Sequence, residues 1–136
     1  MAAKEGLSEG EEFVYRISTA AEWEELQTKG STLGREIDKS TGCFHLCKLD
    51  QVRPVLQNFF ANVKEELYLL QIDAKKLGDG LIYELADGNN KFTDGNNRFP
   101  HFYGPSRSFC PFPSDVVTKA EKLSLSGGQY SCIMLN

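Results

Sequence analysis

Leu67-Tyr68-Leu69-Leu70-Gln71-Ile72 is an apolar run closed by Glu66 on one side and Asp73 on the other. At this length it reads as a central strand buried on both faces. Such a strand needs neighbours along its edges and packed layers over it, and the rest of the chain has to supply both. One cover is legible nearby: Leu49, Val52, Leu56, Phe59 and Val63 recur at 3-4-3-4 spacing, the stripe of an amphipathic helix. Pro54 falls inside that stripe. It conflicts with a helix unless it lies near the start, where the lost hydrogen bond and the ring clash are smallest.

The sheet neighbours come from both ends of the chain. Phe13-Val14-Tyr15-Arg16-Ile17 is β-branched and aromatic and suits a strand, with Phe13, Tyr15 and Ile17 on one face and Val14 and Arg16 on the other. Thr19-Ala20-Ala21-Glu22 has the form of a capping box, and Ala20, Trp23 and Leu26 follow at helical spacing before Gly30. Ser31 to Thr41 reads as a polar connection, and Gly42 to Cys47 as a short strand leading into the next helix. Leu81-Ile82-Tyr83-Glu84-Leu85 alternates as a strand, with Ile82 and Glu84 opposite to Leu81, Tyr83 and Leu85. Asp87-Gly88-Asn89-Asn90 and Asp94-Gly95-Asn96-Asn97 are two turn signals, expected to form a mobile flap beside a cleft.

Arg98 to Pro105 carries two prolines and suits an edge strand or an ordered loop. Val116, Val117, Ala120 and Leu123 are spaced for one or two helical turns, and Gly127-Gly128 between short polar-apolar runs marks a tight hairpin. Strands with segregated helices, and no repeated strand-helix-strand unit, give an α+β fold class. With 136 residues the expectation is one domain over 12–136, preceded by an acidic tail at 1–11 too polar to offset its ordering entropy.

Composition excludes several functions. A net charge of -4 and a pI near 5.2 argue against non-specific binding to nucleic acid, which needs clustered Lys and Arg. No apolar run approaches the roughly 20 residues that cross a bilayer, and the start leads into acidic sequence instead of a signal-peptide core. A cytoplasmic location follows as the expectation, with Cys43, Cys47, Cys110 and Cys132 as free thiols. Cys132 stands fifth from the end where a prenylation box requires fourth. Along an extended strand Cys43 and Cys47 lie about 13 Å apart, too far to share one zinc, so no metal site is expected. The Asp-Gly-Asn-Asn pair lacks the sixth-position Gly and terminal Glu of a calcium loop.

The order and spacing of Tyr15-Arg16-Ile17-Ser18-Thr19, Glu22-Trp23, Gly42-Cys43-Phe44-His45-Leu46, Leu70-Gln71-Ile72-Asp73 and Phe99-Pro100-His101-Phe102-Tyr103-Gly104 resemble the family known as domain of unknown function 952. The resemblance covers about residues 12 to 125. It implies an ADP-ribosyltransferase-like fold, a curved split β-sheet with flanking helices around a cleft in which enzymatic relatives bind NAD. It implies a fold more firmly than an activity. Family members commonly have Tyr-His-Ile where this chain has Tyr15-Arg16-Ile17, and Cys47 stands where a Ser helix cap is expected, with Asp50 as a substitute acceptor.

Within that frame Arg16, Thr19, His101 and Tyr103 are the ligand-binding candidates, and Glu84 and His45 the catalytic ones. Arg16 offers a planar fork for phosphate or ribose oxygens, and Tyr103 or Phe102 a flat contact for a base. Glu84 offers a carboxylate that bonds a ribose hydroxyl and stabilises positive charge developing there. An ordinary strand-face ion pair of Arg16 with Glu84 is the competing account. Each histidine either meets a phosphate, transfers a proton, or is held by backbone. The implied function is a cleft for a nucleotide or other anionic ligand, with NAD as a candidate cofactor. The alternatives are an active ADP-ribosyl-transferase or RNA 2′-phosphotransferase and a protein-interaction module using an aromatic Phe99 to Phe112 surface.

Overall fold

The computed structural model of the protein describes residues 12–85 and 98–135. The tail at 1–11 and both Asp-Gly-Asn-Asn turns, expected to be mobile, lie outside the described residues. In chain order the elements are β1 (Phe13–Thr19), α1 (Ala20–Lys29), β2 (Ser31–Thr32), α2 (Glu36–Thr41), β3 (Phe44–His45), α3 (Leu49–Phe59), β4 (Leu67–Asp73), α4 (Ala74–Leu77), β5 (Leu81–Leu85), β6 (Arg98–Phe102), β7 (Phe112–Pro113), β8 (Val117–Lys122), β9 (Ser124–Ser126) and β10 (Gln129–Ser131).

Every strand pairing is antiparallel among the described residues. One three-stranded sheet has the order β1-β4-β8 and a second the order β3-β6-β5; β2 with β7 and β9 with β10 form two small ribbons. The two larger sheets meet at a single bridge, where Tyr15 N donates to Cys47 O at 2.8 Å and Cys47 N donates to Tyr15 O at 2.7 Å. The architecture is thus mixed α and β, with several small antiparallel sheets and few helices.

β4 is the central strand its composition calls for. Leu67 and Leu69 pack on one side with Ile17, Val52, Leu56 and Leu123, while Leu70 and Ile72 pack on the other with Val14, Leu26, Phe44 and Phe112. The period-2 alternation of a strand separates these two clusters. Each fully buried Leu here stabilises the fold by about 1.5–3 kcal/mol. α3 covers the first face through Val52 and Leu56 while Leu49 and Phe59 stay exposed. It runs through Pro54 and stops at Phe59, so Val63 lies beyond it.

Three expectations change. The polar connection after Gly30 holds β2 and α2. The spacing of Val116 to Leu123 misleads: a 3-10 turn at Ser114–Val116 leads into β8, which pairs with β4. Pairing along an open edge of the sheet outweighs a weak helical pattern. β6 is the middle of its sheet and not an edge, despite Pro100. The Pro100 carbonyl accepts from Leu46 N at 3.0 Å, just past the end of the two-residue β3, so the proline falls outside the paired stretch of that strand, which ends at His45 opposite His101.

Candidate functional site

β1 points Arg16 inward, and the residue is 2% exposed. All five of its N–H groups find acceptors. Nε and Nη2 donate to Glu22 at 2.5 and 2.9 Å, Nη1 and Nη2 donate to Asp38 at 3.2 and 2.8 Å, and Nη1 also donates to His45 O at 3.1 Å. Asp38 is equally full: beyond the two bonds from Arg16, its carboxylate accepts from Arg35 N at 2.7 Å and His45 N at 3.1 Å. Burial alone raises the Asp38 carboxyl, but the charge and hydrogen bonds of Arg16 outweigh it and hold the group below its usual range. Gly34 makes room for this, since a Cβ there would sit 2.6 Å from the Phe44 ring and 2.7 Å from Asp38 Oδ2.

Expected as an anion contact or as a partner of Glu84, Arg16 is paired here with Glu22 and Asp38 instead. A buried guanidinium without a spare donor ties β1, α1, α2 and β3 together and offers nothing to a ligand. Thr19 is likewise a cap: its Oγ1 accepts from Glu22 N at 3.2 Å at the start of α1. The Glu22 side chain, the other half of the expected capping box, is taken by Arg16.

The remaining candidates converge at a second place. Cross-strand register sets His45 beside His101, with ring centroids 4.8 Å apart and edges in contact. Two residues along β5 from Ile82, the cross-strand partner of His101, Glu84 Oε1 meets His101 Nδ1 at 2.6 Å and accepts from the Tyr103 hydroxyl at 2.8 Å. Arg107 Nη2 donates to Glu84 Oε2 at 2.6 Å, and its guanidinium lies over the Tyr103 ring at 4.3 Å. Thr41 Oγ1 contacts His45 Nε2 at 2.8 Å and Cys43 Sγ at 3.9 Å. Cys43 also faces the Tyr103 hydroxyl. Thr41, Cys43, Tyr103, Glu84, His101 and His45 therefore form a closed loop of polar contacts.

The charges follow from these neighbours. Burial pushes the Glu84 carboxyl up, yet its bonds from His101, Arg107 and Tyr103 outweigh that and bring it to about 2. Burial, reinforced by His101, lowers His45 to about 4, so it is neutral near pH 7. Burial raises the Tyr103 phenol and the Cys43 thiol, and raises Cys47 to about 12. Both thiols are poor nucleophiles in this state. Among the described residues no group of three or more His, Cys, Asp and Glu side chains is placed to hold a metal ion.

Because the folded Glu84 carboxyl lies below its ordinary value of 4.5, its contribution to stability is present above about pH 4.5 and is lost as pH falls toward about 2. The urea midpoint of Glu84→Gln, followed from neutral pH downward, is expected to trail the parent at neutral pH and to converge on it through that window. A gap independent of pH would show that the carboxylate charge is not what holds the cluster.

Tyr103 and Arg107 connect the cluster to a cavity of about 420 Å³ whose walls include Leu77, Ile82, Phe102 and Cys110. The loop carrying Arg107 is bent: Ser106 and Arg107 have φ of 59° and 60°, a left-handed backbone that costs non-glycine residues about 1–3 kcal/mol each. At Gly80 a Cβ would stand 2.3 Å from Tyr103 O, which only glycine permits. Sequence reasoning missed Asp38, Thr41 and Arg107. Asp38 closes a helix start whose N-cap is Arg35 instead of Ser, Thr, Asp or Asn, and Arg107 sits in a loop that reads as a plain turn.

A mixed fold of small antiparallel sheets, with a carboxylate-centred polar cluster at a cavity, is the class of protein these features define. A family model described as "Protein of unknown function (DUF952)" matches residues 17–120, and the chain belongs to that family. The X-ray structure of protein CC0527 from Caulobacter crescentus is similar, with 27% identity and a TM-score of 0.70 over 88% of this chain and 93% of that one. The solution NMR structure of CC0527 gives 26% identity and a TM-score of 0.68 over 88% and 91%. No curated protein matches the chain. Among the described residues no helix is long and apolar enough to cross a membrane.

Proposed function

We propose that this protein binds a small anionic ligand of nucleotide type in the cavity beside Tyr103 and Arg107. The observation that carries the reading is that Tyr103 and Arg107, both bonded to the Glu84 that also meets His101, line a cavity whose walls include Leu77, Ile82 and Phe102. A volume of about 420 Å³ lies in the ordinary range for small-molecule sites, roughly 300–1,000 Å³. The apolar walls suit a planar base, and Arg107, at 56% side-chain exposure, can turn from Glu84 to a phosphate. Glu84 then has an oxygen open to a sugar hydroxyl. NAD is a candidate of this kind, in line with the resemblance to ADP-ribosyltransferases, with Arg107 in the part first given to Arg16.

The enzymatic version of the reading assigns Glu84 the stabilisation of positive charge on a ribose as its bond to nicotinamide breaks. The interaction-module alternative has less to work with, because Phe99 and Phe112 are buried and Phe102 and Phe109 pack against the core. The test is calorimetry of the full chain with NAD, ADP-ribose and AMP, together with a nicotinamide-release assay. Binding is expected, and Arg107→Ala should weaken it by about tenfold or more, the scale of one lost charge-assisted bond. Binding without release assigns a non-catalytic role, whereas release abolished by Glu84→Gln assigns the enzyme. Failure of all three ligands to bind the parent would reject the reading.

A further inference from the structure

The polar loop around the two histidines restricts where each ring carries its proton. Glu84 is ionised and can only accept, so the 2.6 Å contact requires a proton on His101 Nδ1. A neutral His101 then keeps its unprotonated nitrogen at Nε2. On the neighbouring strand, the Thr41 hydroxyl has one proton and lies 2.7 Å from Ile37 O, to which it donates. Its lone pairs then face His45 Nε2 at 2.8 Å and call for a proton on that nitrogen, which leaves Nδ1 unprotonated. Two rings in edge contact thus retain one acceptor nitrogen each, and among the described residues no hydrogen bond occupies either one. Neither nitrogen is sealed in the interior, so each is open to a donor brought by a ligand.

We propose that His45 and His101 form a donor-reading subsite, which selects ligands bearing a hydroxyl or amide N–H beside the anionic group that meets Arg107. The proposal rests on the ligand reading above and gives it a specificity. Position supports it: Ile82, which lines the cavity, is the cross-strand partner of His101, and Tyr103 and Arg107 belong to both the cavity and the polar loop. Glu84 and Thr41 act here as positioning residues, each fixing a tautomer through one hydrogen bond. A site that presents acceptors rejects an analogue lacking the donor more strongly than a site that relies on shape, because the acceptors are then left unpaired.

Long-range proton–nitrogen NMR of the full-length, nitrogen-15-labelled protein at mildly alkaline pH reads the four imidazole nitrogens directly. The expected pattern is N–H at His45 Nε2 and His101 Nδ1, with the other two nitrogens unprotonated. The opposite tautomer on either ring overturns the proposal without any ligand. In Thr41→Val the His45 signals should lose that single-tautomer pattern, and Thr41→Ser should restore it; a pattern unchanged by Thr41→Val also counts against the proposal. AMP and 2′,3′-dideoxy-AMP then share base and phosphate and differ only in hydroxyl donors. AMP should bind at least about tenfold more tightly and should shift the unprotonated nitrogens toward hydrogen-bonded values. Equal affinities with unmoved nitrogens would overturn the donor subsite alone. Absence of binding by both nucleotides would remove the ligand reading and the subsite with it.

Discussion

Arg16→Ala should lower the unfolding free energy by about 3–5 kcal/mol, the cost of stranding buried charges after one partner is removed. Two carboxylates depend on this guanidinium, Glu22 and Asp38, and both are buried. Typical domains have about 5–15 kcal/mol in total, so this change would leave little or no folded protein at moderate urea. Equilibrium urea unfolding of parent and variant provides the measurement. Arg16→Lys should recover only part of the loss, because a single ammonium cannot present paired donors to both carboxylates and a third to His45 O. A variant as stable as the parent, with weakened nucleotide binding instead, would return Arg16 to the role of ligand contact.

Phe44→Ala is the second large effect, also about 3–5 kcal/mol by loss of buried area and creation of a cavity. Phe44 is fully buried, stacks on Phe109 with centroids 5.0 Å apart, touches Phe112 at 5.2 Å, and carries the Arg16 guanidinium 5.2 Å above its ring. β3 consists of this residue and His45 alone, so the packing of one holds the other in register with β6. The thermal midpoint should fall, and the long-range NMR signals of His45 should lose their single pattern in any variant that remains folded. Phe44→Leu, which keeps most of the volume, should cost clearly less. A small effect of Phe44→Ala would mean that Phe109 and Phe112 close over the gap.

Both effects centre on residues whose importance the chain conceals to different degrees. Phe44 sits in the Gly-x-x-His-Leu segment, inside the stretch that the family model matches, so its region is legible from order and spacing. Asp38 lies in a stretch with no apolar period, and nothing local distinguishes it from the solvated acids around it. Its role depends on a cation 22 positions earlier in the chain. The same contrast holds between Glu84 and Arg107. Alternation in Leu81 to Leu85 places Glu84 opposite the core-facing residues, whereas the bent loop that brings Arg107 back onto Glu84 has no counterpart in hydrophobic pattern.

By itself the sequence determined the period-driven parts: the buried central strand at Leu67 to Asp73, the capped helix after Thr19, the strand at Phe13 to Thr19 and the Gly127-Gly128 hairpin. These follow from local alternation and turn chemistry, which each segment carries within itself. It also grouped Arg16, His45, Glu84, His101 and Tyr103 as residues worth placing together, and the last four do meet. Only tertiary structure decided the partners. Arg16 became a buried structural cation because α1 and α2 each deliver a carboxylate to it, and β6 became a central strand because β3 pairs with it through Phe44 and His45 alone, short of Pro100. Charge pairing and strand neighbours are long-range properties: their energies depend on which segments meet in space, and no window of the chain contains both sides of the contact.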